Sequence, residues 1–252
     1  MLIDTHVHLN STEFKDNVDE VINRALDQDV NIMIVVGFDH KTNLKAIELA
    51  ERYPFLYATV GYHPTEAKTI TEQDFVLLQE QLQHKKVVGI GECGLDFYWD
   101  KEHVTEQVQV FKRHIELSLE LDKPLVIHMR DASEATFNVL KEYKGLKGIM
   151  HSYSGSAEMV SQFIELGLLI SLGGPVTFKN GHKPKQVALV VPLDKLLIET
   201  DSPYLSPHPF RGKTNEPARV TLVAEEIAKI KQVSFEKIAQ ETTNNALHLF
   251  RI

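Results

Sequence analysis

Five of the chain's twelve histidines, His6, His8, His63, His128 and His151, close or directly follow short apolar segments. Neutral imidazole is a ligand for zinc and other divalent cations. His6 and His8 stand two apart in Asp4-Thr5-His6-Val7-His8. On a strand, residues i and i+2 point to the same side, so both rings can reach one ion. The competing reading of an isolated H-x-H is a polar strand end. His84, His114 and His248 fall in helical or loop segments and read as surface residues.

Carboxylates complete the pattern. Glu92 lies in Gly89-Ile90-Gly91-Glu92-Cys93-Gly94-Leu95-Asp96. This segment matches G-x-G-x-x-G, but a phosphate-cradling loop must open a helix. Here it runs into Asp96-Phe97-Tyr98-Trp99-Asp100, which has no helical apolar period. Glu92 would also set negative charge where a pyrophosphate belongs. Bridging is the better role, since two carboxylate oxygens can serve two cations, and the glycines let backbone pass close by. Asp201, in Glu199-Thr200-Asp201-Ser202-Pro203-Tyr204, can bind a cation and take a proton from water. Its competing reading is an Asx turn before Pro203, and Glu199 is a second acid that can be confused with it. Arg130, two residues past His128, suits bidentate contact with phosphate or carboxylate; a salt bridge to Asp131 or Glu134 is the equal alternative. Cys93, the chain's one cysteine, reads as a small packing residue. Neither a G-x-S-x-G elbow nor a G-K-[ST] phosphate loop is present.

These residues need a frame that brings distant positions together. Apolar, β-branched runs predict buried parallel strands at Leu2 to Val7, Ile32 to Val36, Phe55 to Val60 and Val87 to Gly91. Four more are predicted at Leu125 to His128, Gly148 to His151, Leu168 to Leu172 and Leu196 to Glu199. Amphipathic stripes lie between them, such as Phe14, Val18, Val21, Ile22 and Ala25, then Val104, Val108, Phe111 and Ile115, and late in the chain Val220, Val223, Ile227 and Ile230. Eight strands alternating with helices predict an α/β fold, a TIM-like (β/α)8 barrel, rather than an open sheet. Its strand ends converge on one pocket. The Gly- and Pro-rich loops 173–184 and 202–217 would flank that pocket.

The 252 residues fit one such barrel, about 250 residues in the usual case, and no linker or boundary divides residues 1–252. Hydrophobic residues make up 43% and charged residues 25%, which excludes disordered and fibrous classes. With 27 basic against 35 acidic residues the net charge is −8, so a tight duplex-binding module is excluded. A lone cysteine, no basic-then-apolar leader and no apolar run near about 18 residues predict a soluble cytoplasmic protein without membrane contact.

The motifs together resemble the TatD family of metal-dependent deoxyribonucleases, within the amidohydrolase-like superfamily. The resemblance rests on Asp4-Thr5-His6-Val7-His8, Gly61-Tyr62-His63-Pro64, Gly91-Glu92-Cys93-Gly94-Leu95-Asp96, His128-Met129-Arg130, His151-Ser152-Tyr153-Ser154-Gly155, Glu199 to Tyr204 and Arg211-Gly212-Lys213-Thr214-Asn215-Glu216-Pro217. It spans the chain in order. It implies two divalent ions, of Mg, Mn, Zn, Fe or Co. One would be held by His6, His8, Glu92 and Asp201, and the other by Glu92, His128 and His151. His63 and Arg130 would line the substrate pocket, joined by Arg211, Lys213 and Asn215 from the late loop. Thr214 stands in a stretch where the family usually carries a basic residue, which puts one phosphate contact in question.

The expected activity is hydrolysis of phosphodiesters in single-stranded DNA, and of RNA as an extension, by a metal-activated water. Asp201 and Glu92 are the catalytic carboxylates, Arg130 and Lys213 stabilise phosphate charge, and the resemblance implies 3′-to-5′ exonuclease polarity. The expected partner is a single-stranded nucleic acid end, without stable duplex binding. Tyr62, Phe97, Tyr98 or Trp99 can stack a terminal base; ordinary loop packing is the equal alternative. The same site could instead attack a carbonyl, as an amidohydrolase, lactonase or esterase acting on an aminoacyl ester. A non-enzymatic partner-binding role would leave a complete ligand set without use.

Overall fold

A computed structural model describes every residue from Met1 to Ile252. Eight parallel strands form one sheet in the order of the chain. They are β1 (Leu2–Val7), β2 (Val30–Val36), β3 (Leu56–Val60), β4 (Val87–Asp96), β5 (Leu125–Arg130), β6 (Gly148–Met150), β7 (Leu168–Leu172) and β8 (Leu196–Ile198). Around them lie α1 (Val18–Leu26), α2 (His40–Arg52), α3 (Glu72–Leu82), α4 (Val104–Leu121), α5 (Ser133–Leu140), α6 (Val160–Glu165), α7 (His182–Val190), α8 (Val220–Lys231) and α9 (Phe235–Phe250). This is the predicted TIM-like (β/α)8 barrel.

The strand period of two divides the core into two faces. Leu2, Met33, Val87, Leu125 and Ile127 pack with Val21, Phe111, Val223 and the other helical stripe residues. Ile3, Ile34, Val88, Val126, Ile149 and Leu197 form the interior of the barrel together with Ala246 and Phe250 of α9. A side chain the size of Phe250 contributes about 1.5–3 kcal/mol when fully buried, so α9 is held firmly over the base of the barrel. The opposite end, where the strands finish, stays open to polar residues.

The barrel closes between β1 and β8 by individual contacts. His8 N–H donates to Ser202 O (2.8 Å) and Asp201 N–H to His6 O (2.9 Å). Asp4 accepts from the Thr200 backbone N–H (3.0 Å) and from its hydroxyl (2.5 Å). The seam therefore fixes His6, His8 and Asp201 against one another.

β4 runs five residues past its expected end. All ten of its residues are buried, and Gly94 and Asp96 continue in register with His128 and Arg130. Gly91 and Gly94 have φ of 143° and 141° and press on β5; a Cβ at either would strike the carbonyl oxygen of Val126 or His128. The missing Cβ at these glycines is what lets the strand pass so close to its neighbour. Glu92 consequently stands within the strand, and Asp96 reaches its rim.

Candidate metal centre

The strand ends deliver two groups of ligand atoms that meet at Glu92. In the first, His6 Nε2 lies 3.2 Å from His8 Nε2. Glu92 Oε2 lies 3.4 Å from His6 Nε2 and 3.7 Å from His8 Nε2. Asp201 Oδ1 lies 3.8 and 3.5 Å from the same two nitrogens. In the second, Glu92 Oε1 lies 2.8 Å from His128 Nδ1 and 3.1 Å from His151 Nε2. The two oxygens of Glu92 face separate clusters, as expected of a bridging carboxylate.

The hydrogen bonds behind these rings assign their tautomers. His8 Nδ1 donates to Val36 O (3.0 Å), which turns the Nε2 lone pair inward. His151 Nδ1 donates to Glu199 Oε1 (3.1 Å), and His128 Nε2 donates to Asp96 Oδ2 (3.0 Å). With a cation bound, the nitrogen facing Glu92 would be the one without a proton, and these outer partners would hold the ring in the tautomer that ligation requires. Ligands about 2.1 Å from a tetrahedral ion stand about 3.4 Å apart. The first cluster's 3.2 to 3.8 Å separations match that spacing. The first cluster's donor set therefore fits a divalent cation held by His6, His8, Glu92 and Asp201, and Glu92, His128 and His151 offer donors of the same chemistry beside it.

His63 belongs to the site in another way. Its Nε2 lies 3.7 Å from Glu92 Oε1. Its Nδ1 accepts from the Thr65 N–H (3.2 Å), so the neutral ring carries its proton on Nε2. Burial, and then the nearby His128, push its pKa down to about 3, so the ring is neutral. His63 is a hydrogen-bond donor beside the clusters.

The electrostatics reflect mutual compensation. Burial opposes ionisation of Glu92, yet His151, His128 and His6 outweigh it and hold the carboxyl well below the usual range. Burial likewise opposes charge on His151, but Glu92 and Glu199 raise it well above the ordinary value. Burial and His151, whose ring stacks on it at 3.8 Å, push His6 down. The pocket holds positive charge only against its carboxylates, and cations satisfy the same demand.

A cavity of about 320 Å³ opens over the second cluster, bounded by His128, His151, Asp201, Arg130, Ser152 and Lys183. Arg130 forms no salt bridge to Asp131 or Glu134; its guanidinium lies 4.0 Å over the Tyr98 ring. Arg211 and Lys213 line a separate open hollow that shares Leu205 with this cavity. Asn215 is a correction. It is wholly buried, its amide donating to Thr200 O (2.9 Å) and Tyr204 O (2.8 Å) and accepting from Glu216 N–H (3.0 Å). It staples the late loop and has nothing left for substrate. Two further expectations change. Tyr62 is core, its hydroxyl donating to Asp74 O (2.8 Å), and His114 is buried, accepting from Tyr62 N–H (3.1 Å). Cys93 packs as expected, fully buried.

The residues that sequence reasoning passed over are Asp96, Glu199 and Lys183. The first two stood inside the motifs; their roles behind His128 and His151 depend on pairings across 32 and 48 positions. Lys183 carries no sequence signal beyond its place in the Gly- and Pro-rich stretch 173–184, and in the structure it lies in the first turn of α7.

The family model described as TatD related DNase matches residues 3–251. The metal-dependent hydrolase YabD of Bacillus subtilis is 49% identical over all of both chains. YcfH of Escherichia coli, also described as a metal-dependent hydrolase, is 37% identical over 100% of this chain and 96% of that protein. The crystal structure of YJJV, a TatD homologue from Escherichia coli, superposes with a TM-score of 0.94 at 30% identity, covering 100% of this chain and 98% of that one.

Proposed function

The chain belongs to the TatD-related DNase family and is a metal-dependent hydrolase, and from that premise we propose that the bond it hydrolyses is a phosphodiester at the 3′ end of single-stranded DNA, with RNA as a second substrate. The observation that carries this reading is Glu92 set between two ligand clusters, with the unpaired Arg130 guanidinium on the same cavity. Two divalent ions bound there would lower the pKa of water toward about 7 and screen the charge of a phosphate.

The side chains divide the remaining work. Asp201 borders the cavity and receives the proton of the attacking water. Arg130 offers a planar fork of donors to the non-bridging phosphate oxygens. His63, neutral with its proton on Nε2, donates a hydrogen bond to the same group. Arg211 and Lys213 line the adjoining hollow and receive phosphates farther along the strand. With a net charge of −8 the attraction is local, which favours strand ends over long duplex tracts.

The test is direct. Metal-stripped protein is incubated with a 5′-labelled single-stranded oligonucleotide and Mg, Mn or Zn, beside Asp201→Asn and His128→Ala. The expected result is a metal-dependent ladder shortening from the 3′ end and lost in both variants. No ladder with any metal, alongside turnover of an ester or amide panel, would replace this reading with carbonyl hydrolysis.

A further inference from the structure

Tyr98 and Trp99 follow Asp96 at the rim of β4 and are half-exposed or more, at 52% and 67%. Neither packs into either core cluster, although Phe97 beside them does. Their rings meet edge-on with centroids 4.9 Å apart. Arg130 stands over both, 4.0 Å from the Tyr98 centroid and 5.5 Å from that of Trp99. The same arginine borders the cavity over the metal centre.

The backbone that carries the pair is fixed. Asp96 Oδ1 accepts the backbone N–H of Tyr98 and of Trp99, each at 2.8 Å. The other oxygen of that buried carboxylate holds His128. One carboxylate therefore ties the aromatic rim to the ring that faces Glu92. Exposed aromatic surface carries an energetic cost unless a ligand covers it. An exposed aromatic pair on a fixed backbone, next to a guanidinium without a carboxylate partner, matches a nucleotide, which offers a planar base and a phosphate side by side.

We propose that Tyr98, Trp99 and Arg130 form a stacking platform for a base of a single-stranded nucleic acid, whose neighbouring phosphate Arg130 directs into the cavity. The platform deepens the nuclease reading and rests on it. Every base has a π face, so the platform selects single strands over duplex without selecting sequence.

Trp99 is the chain's only tryptophan, so its emission reports on the platform alone. The metal-loaded native protein is titrated with a nuclease-resistant phosphorothioate oligothymidylate and with an abasic strand of equal phosphate number. Quenching by the first and none by the second is expected. In the hydrolysis assay Trp99→Ala raises KM about tenfold, the effect appearing in KM more than in kcat, and Trp99→Phe restores most of the loss. Metal content and melting temperature of the variants are compared with those of the native protein, so that a folding defect is seen directly. Equal emission changes with both strands, or an unchanged KM in Trp99→Ala, would overturn the platform while leaving nuclease activity standing. A native protein that neither binds the phosphorothioate strand nor cuts an unmodified one would remove the nuclease reading, and the platform with it.

Discussion

Asp96 Oδ2 lies 3.0 Å from His128 Nε2, on the side of the ring away from Glu92. The carboxylate holds the imidazole proton on Nε2, so that when a cation binds, Nδ1, which lies 2.8 Å from Glu92 Oε1, is the nitrogen free to ligate it. In Asp96→Asn the side-chain oxygen can still accept from Tyr98 and Trp99, but an amide donor then faces Nε2. The ring must move its proton to Nδ1, the nitrogen needed for ligation. Metal affinity at the second position is expected to fall about 10–100-fold, with little change in melting temperature. Titration of metal-free protein with Co(II), followed by visible absorption, measures this; an affinity equal to the native protein's would deny Asp96 that role.

Glu92 serves both clusters, whereas His128 serves one. Bound-metal analysis by plasma mass spectrometry is therefore expected to give two ions per native chain and one for His128→Ala. Glu92→Ala should retain less than one, because both positions lose an oxygen ligand. A Glu92→Ala protein that kept both ions would show that the bridge is dispensable.

His114 is buried in α4, with Nδ1 donating to Val110 O (2.7 Å) and Nε2 accepting from Tyr62 N–H (3.1 Å). Burial pushes its pKa down from the ordinary 6.5 to about 4. The unfolded chain then binds a proton that the folded chain refuses. The stability from the neutral ring is fully present above pH 6.5 and is lost as pH falls toward 4, by about 1.4 kcal/mol per pH unit within that window. In urea unfolding, the drop in stability between pH 7.5 and pH 5 should shrink by about 2 kcal/mol in His114→Gln. Identical pH dependence in both proteins would contradict the depressed pKa.

Much of this was legible because a barrel converts chain position into spatial position. His6, His8, His128 and Asp201 were found by standing at strand ends, where parallel strands must converge. What escaped was the identity of each side chain's partner. His114 looked like a surface residue because its partner, Tyr62, lies 52 positions away. Asp96 fell outside the predicted strand because the apolar run ends at Gly91, and only pairing with β5 carries the strand on to Asp96. Periodicity reports which face of an element is buried. It carries no record of which hydrogen bonds distant elements supply there.

Asn215 offers the sharpest contrast between a motif reading and the structure. Read from its motif, it is a substrate contact, and Asn215→Ala would raise KM and leave the fold untouched. In the structure its amide satisfies the carbonyls of Thr200 and Tyr204, on either side of Asp201, and its oxygen accepts from Glu216 N–H. Truncation leaves buried backbone groups unpaired, at a cost of about 1–3 kcal/mol each. It also frees the turn on which Asp201 depends, since Tyr204 N–H donates to Asp201 O (2.8 Å). Asn215→Ala is therefore expected to lower the melting temperature by several degrees and to reduce kcat through Asp201, with KM changed less. Calorimetry beside steady-state kinetics separates the two cases: a stable variant with a purely raised KM would return Asn215 to the substrate.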